Sequence, residues 1–185
     1  YILMECGQPL HSFDLARIRG GRVIVAPAKE GEHFTTLDGK ERVLKADDLT
    51  IRDNDGVVAL AGVMGGLDSE ITEASAGVFL ESAVFRPATI RRTSRRLGLS
   101  SEASFRFERG IDQGRSRWSL DRACAMIQQL AGGEVSDRLC ENEPRPFVPV
   151  QVEFRPARCA ALLPTRSRIL LPRNPSRARS RRETA

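Results

Sequence analysis

Among the residues able to do chemistry, one glutamate stands out by its surroundings. Glu81 lies within the apolar stretch that runs from Gly77 to Phe85. Read as a strand of period two, Phe79, Glu81, Ala83 and Phe85 share one face, and Val78, Leu80, Ser82 and Val84 the other. The pattern predicts burial on both faces, which carries a carboxylate into an apolar wall. An ionised carboxylate left unpaired there is costly, so it calls for a cationic partner, a raised pKa or a ligand that hydrogen-bonds to it. Arg106 or Arg109 could be that partner. A substrate donor is the alternative.

Other chemistries are thinly represented. Cys6, Cys124, Cys140 and Cys159 are scattered without a C-x-x-C pair, and the chain has two histidines, so no metal site is expected. The thiols read as reduced and mostly buried. The bend Gly62 to Gly66 lacks the Lys-Ser/Thr of a phosphate-binding loop. Arg91 and Arg95, like Arg92 and Arg96, are four apart, which on a helix makes one cationic side. Such a side is either solvated or set against phosphates.

The elements that must position these residues are short. Arg22–Ala26 reads as a strand ended by Pro27. Phe34–Leu37 and Arg42–Leu44 flank Asp38-Gly39, a hairpin signal of the type I′ kind, with positive φ at both central residues. Leu49–Arg52 and Val57–Leu60 form a second such pair, followed by the glycine bend and the Glu81 strand. Pro87 and Gly98 bracket a helix, the one at its first turn and the other just past its end. Ser104–Arg109 alternates and reads as a short strand. Ser116–Ala131 is helical, with Leu120, Ala123, Cys124, Ile127 and Leu130 on one stripe, and a strand is expected near Val135.

The net charge of +5 is a property of one end. Seven of the 29 basic residues and one of the 24 acidic ones lie beyond Leu163, leaving 22 against 23 in the remainder. Contact with nucleic acid by that remainder requires a local patch. At 185 residues the chain affords one sizeable core. Its first residue is Tyr1, so it reads as a piece of something longer. No apolar run approaches the roughly 20 residues of a membrane span, and no signal-peptide pattern is present, so a soluble, cytoplasmic protein is expected.

The segments GQPLHSFDL (7–15), TLDGKER (36–42), LAGVMGG (60–66), FLESAVFRPATIRRTSRRLGLSSEASFRFERGID (79–112) and LAGGEV (130–135) occur in one order without a gap. Together they resemble the bacterial phenylalanyl-tRNA synthetase beta-chain family, in its central editing domain. The resemblance implies an α+β fold, a mixed or antiparallel sheet with flanking helices. It places an N-terminally truncated editing domain at 1–142, a Pro-rich linker at 143–149 and the start of a further module at 150–163. The Arg/Ser/Pro-rich tail, 164–185, departs from the family and reads as a disordered, out-of-frame or truncated end.

The family's activity would be hydrolysis of mischarged tyrosyl-tRNA for phenylalanine. A pocket that accepts phenylalanine rejects its hydroxylated analogue by only about a hundredfold, so a second, hydroxyl-reading pocket is needed. By resemblance Glu81 receives the tyrosine hydroxyl and His11 positions the water or the ester. Gly65 admits the substrate to the backbone, and Ser101 and Ala103 belong to the pocket. The family often has threonine where Ser101 stands; serine keeps the hydroxyl. Arg91, Arg92, Arg95 and Arg96 are candidates for tRNA phosphates.

The resemblance further implies a synthetase that uses ATP and magnesium and pairs with an alpha chain as a heterotetramer of two alpha and two beta chains. No cofactor is implied for this segment. Two rivals are a noncatalytic tRNA- or partner-binding module and a free-standing aminoacyl-tRNA deacylase.

Overall fold

A computed structural model describes residues 1–144, 146–153, 155 and 158. The chain divides into two units, Tyr1–Phe147 and Val148 onward. In the second, Val148, Val150 and Val152 are exposed. Most of the predicted further module, 150–163, and all of the tail, 164–185, lie outside the described residues.

The first unit is an α+β assembly in which every strand pairing is antiparallel. A short helix, α1 (Ile2–Cys6), ends at Gly7 in the left-handed conformation, φ 74°. Strand β1 (Leu10–Asp14) follows, and the Asp14 carboxylate accepts from the Ala16 backbone N–H at 3.0 Å, turning the chain. Strands β2 (Ile24–Pro27), β5 (Leu49–Arg52), β6 (Val57–Leu60) and β7 (Met64–Gly65) form a four-stranded sheet in that spatial order. Strands β3 (His33–Thr35) and β4 (Glu41–Val43) make a separate hairpin, and β8 (Val78–Ser82) pairs with β1 alone. Helices α2 (Pro87–Leu97), α3 (Glu102–Phe107) and α4 (Ser116–Ala131) complete the unit. The core includes Phe13, Leu44, Leu60 and Ile90, all essentially inaccessible.

Several sequence expectations meet a correction. The first predicted strand begins at Ile24 rather than Arg22, and it ends on Pro27, which is its last residue. The proline is tolerated because β2 is an edge strand, where a missing N–H breaks no central ladder. In the first hairpin only Gly39 has positive φ, 73°, so the turn is not type I′. Instead the Asp38 carboxylate takes the Thr36 hydroxyl at 2.5 Å and the Arg42 guanidinium at 2.7 Å, holding a wider loop.

Ser104–Arg109 is no strand: Ser104–Phe107 lie in helix α3, and Glu108 and Arg109 in the turn that follows. Ser101 and Ser104 form a reciprocal capping box that starts α3, and of the two phenylalanines only Phe107 is buried while Phe105 is exposed. No strand forms near Val135, which is exposed. The α4 stripe buries only its first half: Ala123 is inaccessible, whereas Ile127 and Leu130 face outward. Among the described cysteines none is fully buried, and Cys140 is exposed.

Candidate active site

The antiparallel register of β1 and β8 sets His11 opposite Glu81 and Phe13 opposite Phe79. Residues directly opposite in such a ladder share a face, with Cβ atoms about 4.5–5.5 Å apart. One imidazole and one carboxylate are thus presented side by side, with two aromatic rings behind them. The His11 ring meets Phe13 edge-on, centroids 4.5 Å apart and planes at 81°, which fixes its orientation. A reciprocal pair of hydrogen bonds between Ser82 and Ser116 ties the end of β8 to the start of α4.

Gly65, in β7, lies under the imidazole. A Cβ placed there would stand 2.5 Å from His11 Cε1 and 2.6 Å from Nε2, so close approach, not backbone conformation, requires glycine. His11 and Glu81 open onto a cleft of about 60 Å³ whose remaining walls include Ile51, Leu60, Ala103 and Phe107. Ala103 and Phe107, four residues apart, present one face of α3 to it.

Glu81 and its strand are half-buried rather than buried on both faces, because β8 has only one neighbouring strand. Apolar groups nevertheless crowd the carboxylate. Dehydration is the sole cause that lifts its pKa from 4.5 to about 7, with no cation or hydrogen bond opposing it. The expected arginine partners are engaged elsewhere, Arg106 with Glu102 at 2.6 Å and Arg109 with Glu108. Burial likewise holds His11 below its ordinary value of 6.5, which favours the neutral imidazole at pH 7. The pair offers an acceptor of variable protonation beside a neutral ring.

Ser101 is placed differently. Its hydroxyl donates to the Val63 carbonyl at 2.7 Å and accepts from the Ser104 N–H at 3.0 Å, so it pins α3 to the glycine bend and aims Ala103 at the cleft. On α2, Arg91 donates to the Glu108 carbonyl at 2.6 Å, Arg92 pairs with Asp47 at 3.0 Å, and Arg96 pairs with the buried Asp48. Arg95 alone of the four has no partner among the described residues. Two of the four charges, those of Arg92 and Arg96, are thus neutralised by carboxylates within the fold, and those of Arg91 and Arg95 are not.

A larger cleft of about 350 Å³ lies between the β3–β4 hairpin and the Asp53–Gly56 turn. Most of its charges are paired locally: Arg52 donates twice to Glu32, Arg19 pairs with Asp55 at 3.4 Å, and His33 meets Glu41 at 3.2 Å, while the Asp68 carboxylate is exposed to solvent. The smaller cleft, with its unpaired carboxylate, is the chemically poised one. Sequence reasoning missed Ile51 and Phe107 as walls of that cleft. The four-residue spacing of Ala103 and Phe107 was the available signal for the second of these.

The sequence matches the B3/4 domain family over residues 1–132. The chain belongs to the B3/4 domain family. Similar proteins include the phenylalanine–tRNA ligase beta subunit of Oleidesulfovibrio alaskensis, 61% identical over 163 residues, which are 88% of this chain and 20% of that protein. The beta subunit of Nitratidesulfovibrio vulgaris is 56% identical over the same length and shares, and that of Protochlamydia amoebophila is 44% identical over 165 residues, 89% of this chain and 21% of that protein. The chain thus spans about a fifth of the length of the curated relatives it matches. No helix among the described residues is long and apolar enough to cross a membrane.

Proposed function

We propose that this B3/4 domain is a portion of a phenylalanine–tRNA ligase beta subunit and that its cleft hydrolyses tyrosyl esters on mischarged tRNA for phenylalanine. The observation that supports it most is the cross-strand pair of His11 and Glu81 over Gly65, with the carboxylate dehydrated and unpaired. The relatives' names give the wider context. Tyrosine enters with its ring between the apolar walls and its phenol donating to Glu81. Phenylalanine leaves that oxygen without a donor, a penalty large enough to discriminate.

At the other end the neutral His11 imidazole accepts a hydrogen bond from water and orients it toward the ester carbonyl carbon. Water's oxygen bonds to that carbon, the bond to the ribose oxygen breaks, and that oxygen takes up a proton. Gly65 lets backbone and substrate approach closely, and Ser101 holds Ala103 in place. Arg91, Arg92 and Arg95 are exposed and could meet phosphates of the tRNA.

The intact ligase would pair with an alpha chain as two alpha and two beta subunits and would use ATP and magnesium. The described residues do not fit either group. They hold no cluster of three His, Cys, Asp or Glu side chains suited to a metal, and the glycine bend lacks a phosphate-binding lysine.

The test compares tyrosine release from tyrosyl-tRNA with phenylalanine release from phenylalanyl-tRNA. Glu81→Ala is expected to lower the tyrosine preference by about a hundredfold. His11→Ala is expected to slow both reactions and keep the preference. A Glu81→Ala protein with undiminished selectivity sinks the assignment.

A further inference from the structure

We infer that the outer side of α3 and the first turn of α4 form a stacking surface for unpaired nucleotides of an RNA strand. The inference rests on the proofreading reading above, since that strand is the one whose ester enters the cleft. Two large aromatic side chains lie in this region with half of their surface open to solvent, Phe105 and Trp118, each 49% exposed. Each carries a guanidinium against one ring face, Arg109 at 3.6 Å from the Phe105 centroid and Arg115 at 4.8 Å from that of Trp118. An exposed aromatic topped by arginine offers a flat, cationic platform of the kind on which bases stack irrespective of sequence.

The placement fits the cleft. Ala103 and Phe107 turn one face of α3 to the substrate pocket, and Phe105 stands on the opposite face of the same short helix. A strand held on the outside of α3 is within reach of a cleft on its inside.

Charge selects the partner. From Arg86 to Arg122 there are ten arginines against four carboxylates, whereas residues 1–85 hold eight basic and fourteen acidic side chains. Some of these arginines are neutralised within the fold, but Arg95 and Arg115 have no acidic partner among the described residues. Polyanions are drawn to this segment and repelled from the strands before it. Flat aromatic faces distinguish the surface from a plain phosphate-binding patch, because unstacked bases use them and duplexes do not.

Trp118 is the only tryptophan of the chain, so its fluorescence reports the platform directly. The experiment titrates the chain with a short single-stranded RNA ending in CCA and with the same RNA annealed to its complement. Single-stranded RNA is expected to quench Trp118, and the duplex to bind about tenfold more weakly. Arg115→Ala and Phe105→Ala, both surface changes, are each expected to weaken the single strand by about tenfold while far-UV circular dichroism and the melting temperature stay native. Absence of quenching, equal quenching by duplex, or unchanged affinity in both variants overturns the proposal. Hydrolysis of tyrosyl-adenosine, which has no strand to stack, reads the pocket alone. Failure of the unaltered chain on that ester counts against proofreading, and failure of quenching counts against the stacking surface.

Discussion

Glu81 holds its proton up to a pH of about 7 in the folded chain, against 4.5 for an ordinary glutamate. The folded state therefore binds a proton more tightly than the unfolded one. Stability is lost as pH rises from 4.5, and the loss is complete above about 7. The Glu81→Gln protein escapes this loss. Urea denaturation at a series of pH values should show it gaining on the parent through that window, by up to about 3 kcal/mol less whatever the solvent in the cleft screens, and gaining little at pH 4. Tyrosine preference in the parent should instead rise as pH passes through about 7, where the folded carboxyl ionises, because the ionised carboxylate is the stronger acceptor.

Gly65→Ala makes a second, geometric prediction. The added methyl meets no backbone strain but collides with the imidazole, so melting should fall by the equivalent of about 1–3 kcal/mol while hydrolysis by the folded protein falls by about a hundredfold. Glu81 was legible in the sequence because a carboxylate in an apolar run is an energetic anomaly. His11 was legible only through family resemblance. Its pairing with Glu81 depends on a register between distant segments, which no local pattern encodes.

At the scale of elements, helix α2 was readable from its proline and glycine bounds, and it is anchored by something that no periodicity reveals. Asp48, 1% exposed, accepts from Thr93 at 2.8 Å and from the Lys45 N–H at 2.9 Å, and it pairs with Arg96. Removing the carboxylate leaves a half-buried guanidinium and a buried hydroxyl without their partner. Asp48→Ala is expected to cost about 3–5 kcal/mol in chemical denaturation, and Asp48→Asn less. Helix α3 was misread because Phe105 and Phe107 mimic a strand's alternation. The serine capping box overrides that pattern by satisfying the first-turn N–H groups of a helix. Antiparallel pairing was legible where both strands of a hairpin are adjacent in sequence, as in β5 and β6. It was not legible for β1 and β8.

For the molecule as a whole, the sequence conveyed the class, α+β, more securely than the burial. Ile127 and Leu130 continue the apolar stripe of α4, yet Leu130 is 78% exposed. Replacement by lysine there removes no packing. Leu130→Lys should leave the melting temperature within the equivalent of about 0.5 kcal/mol and lower any concentration-dependent association in sedimentation experiments.

The imidazole and the carboxylate ride together on the β1–β8 ribbon, whereas the glycine beneath them belongs to the four-stranded sheet. Relative sliding of the two layers leaves the spacing of the polar pair untouched and alters only their clearance above the floor. Core substitutions that shift one layer against the other would accordingly retune how deep a side chain can seat, without disturbing the two groups that tell one amino acid from the next.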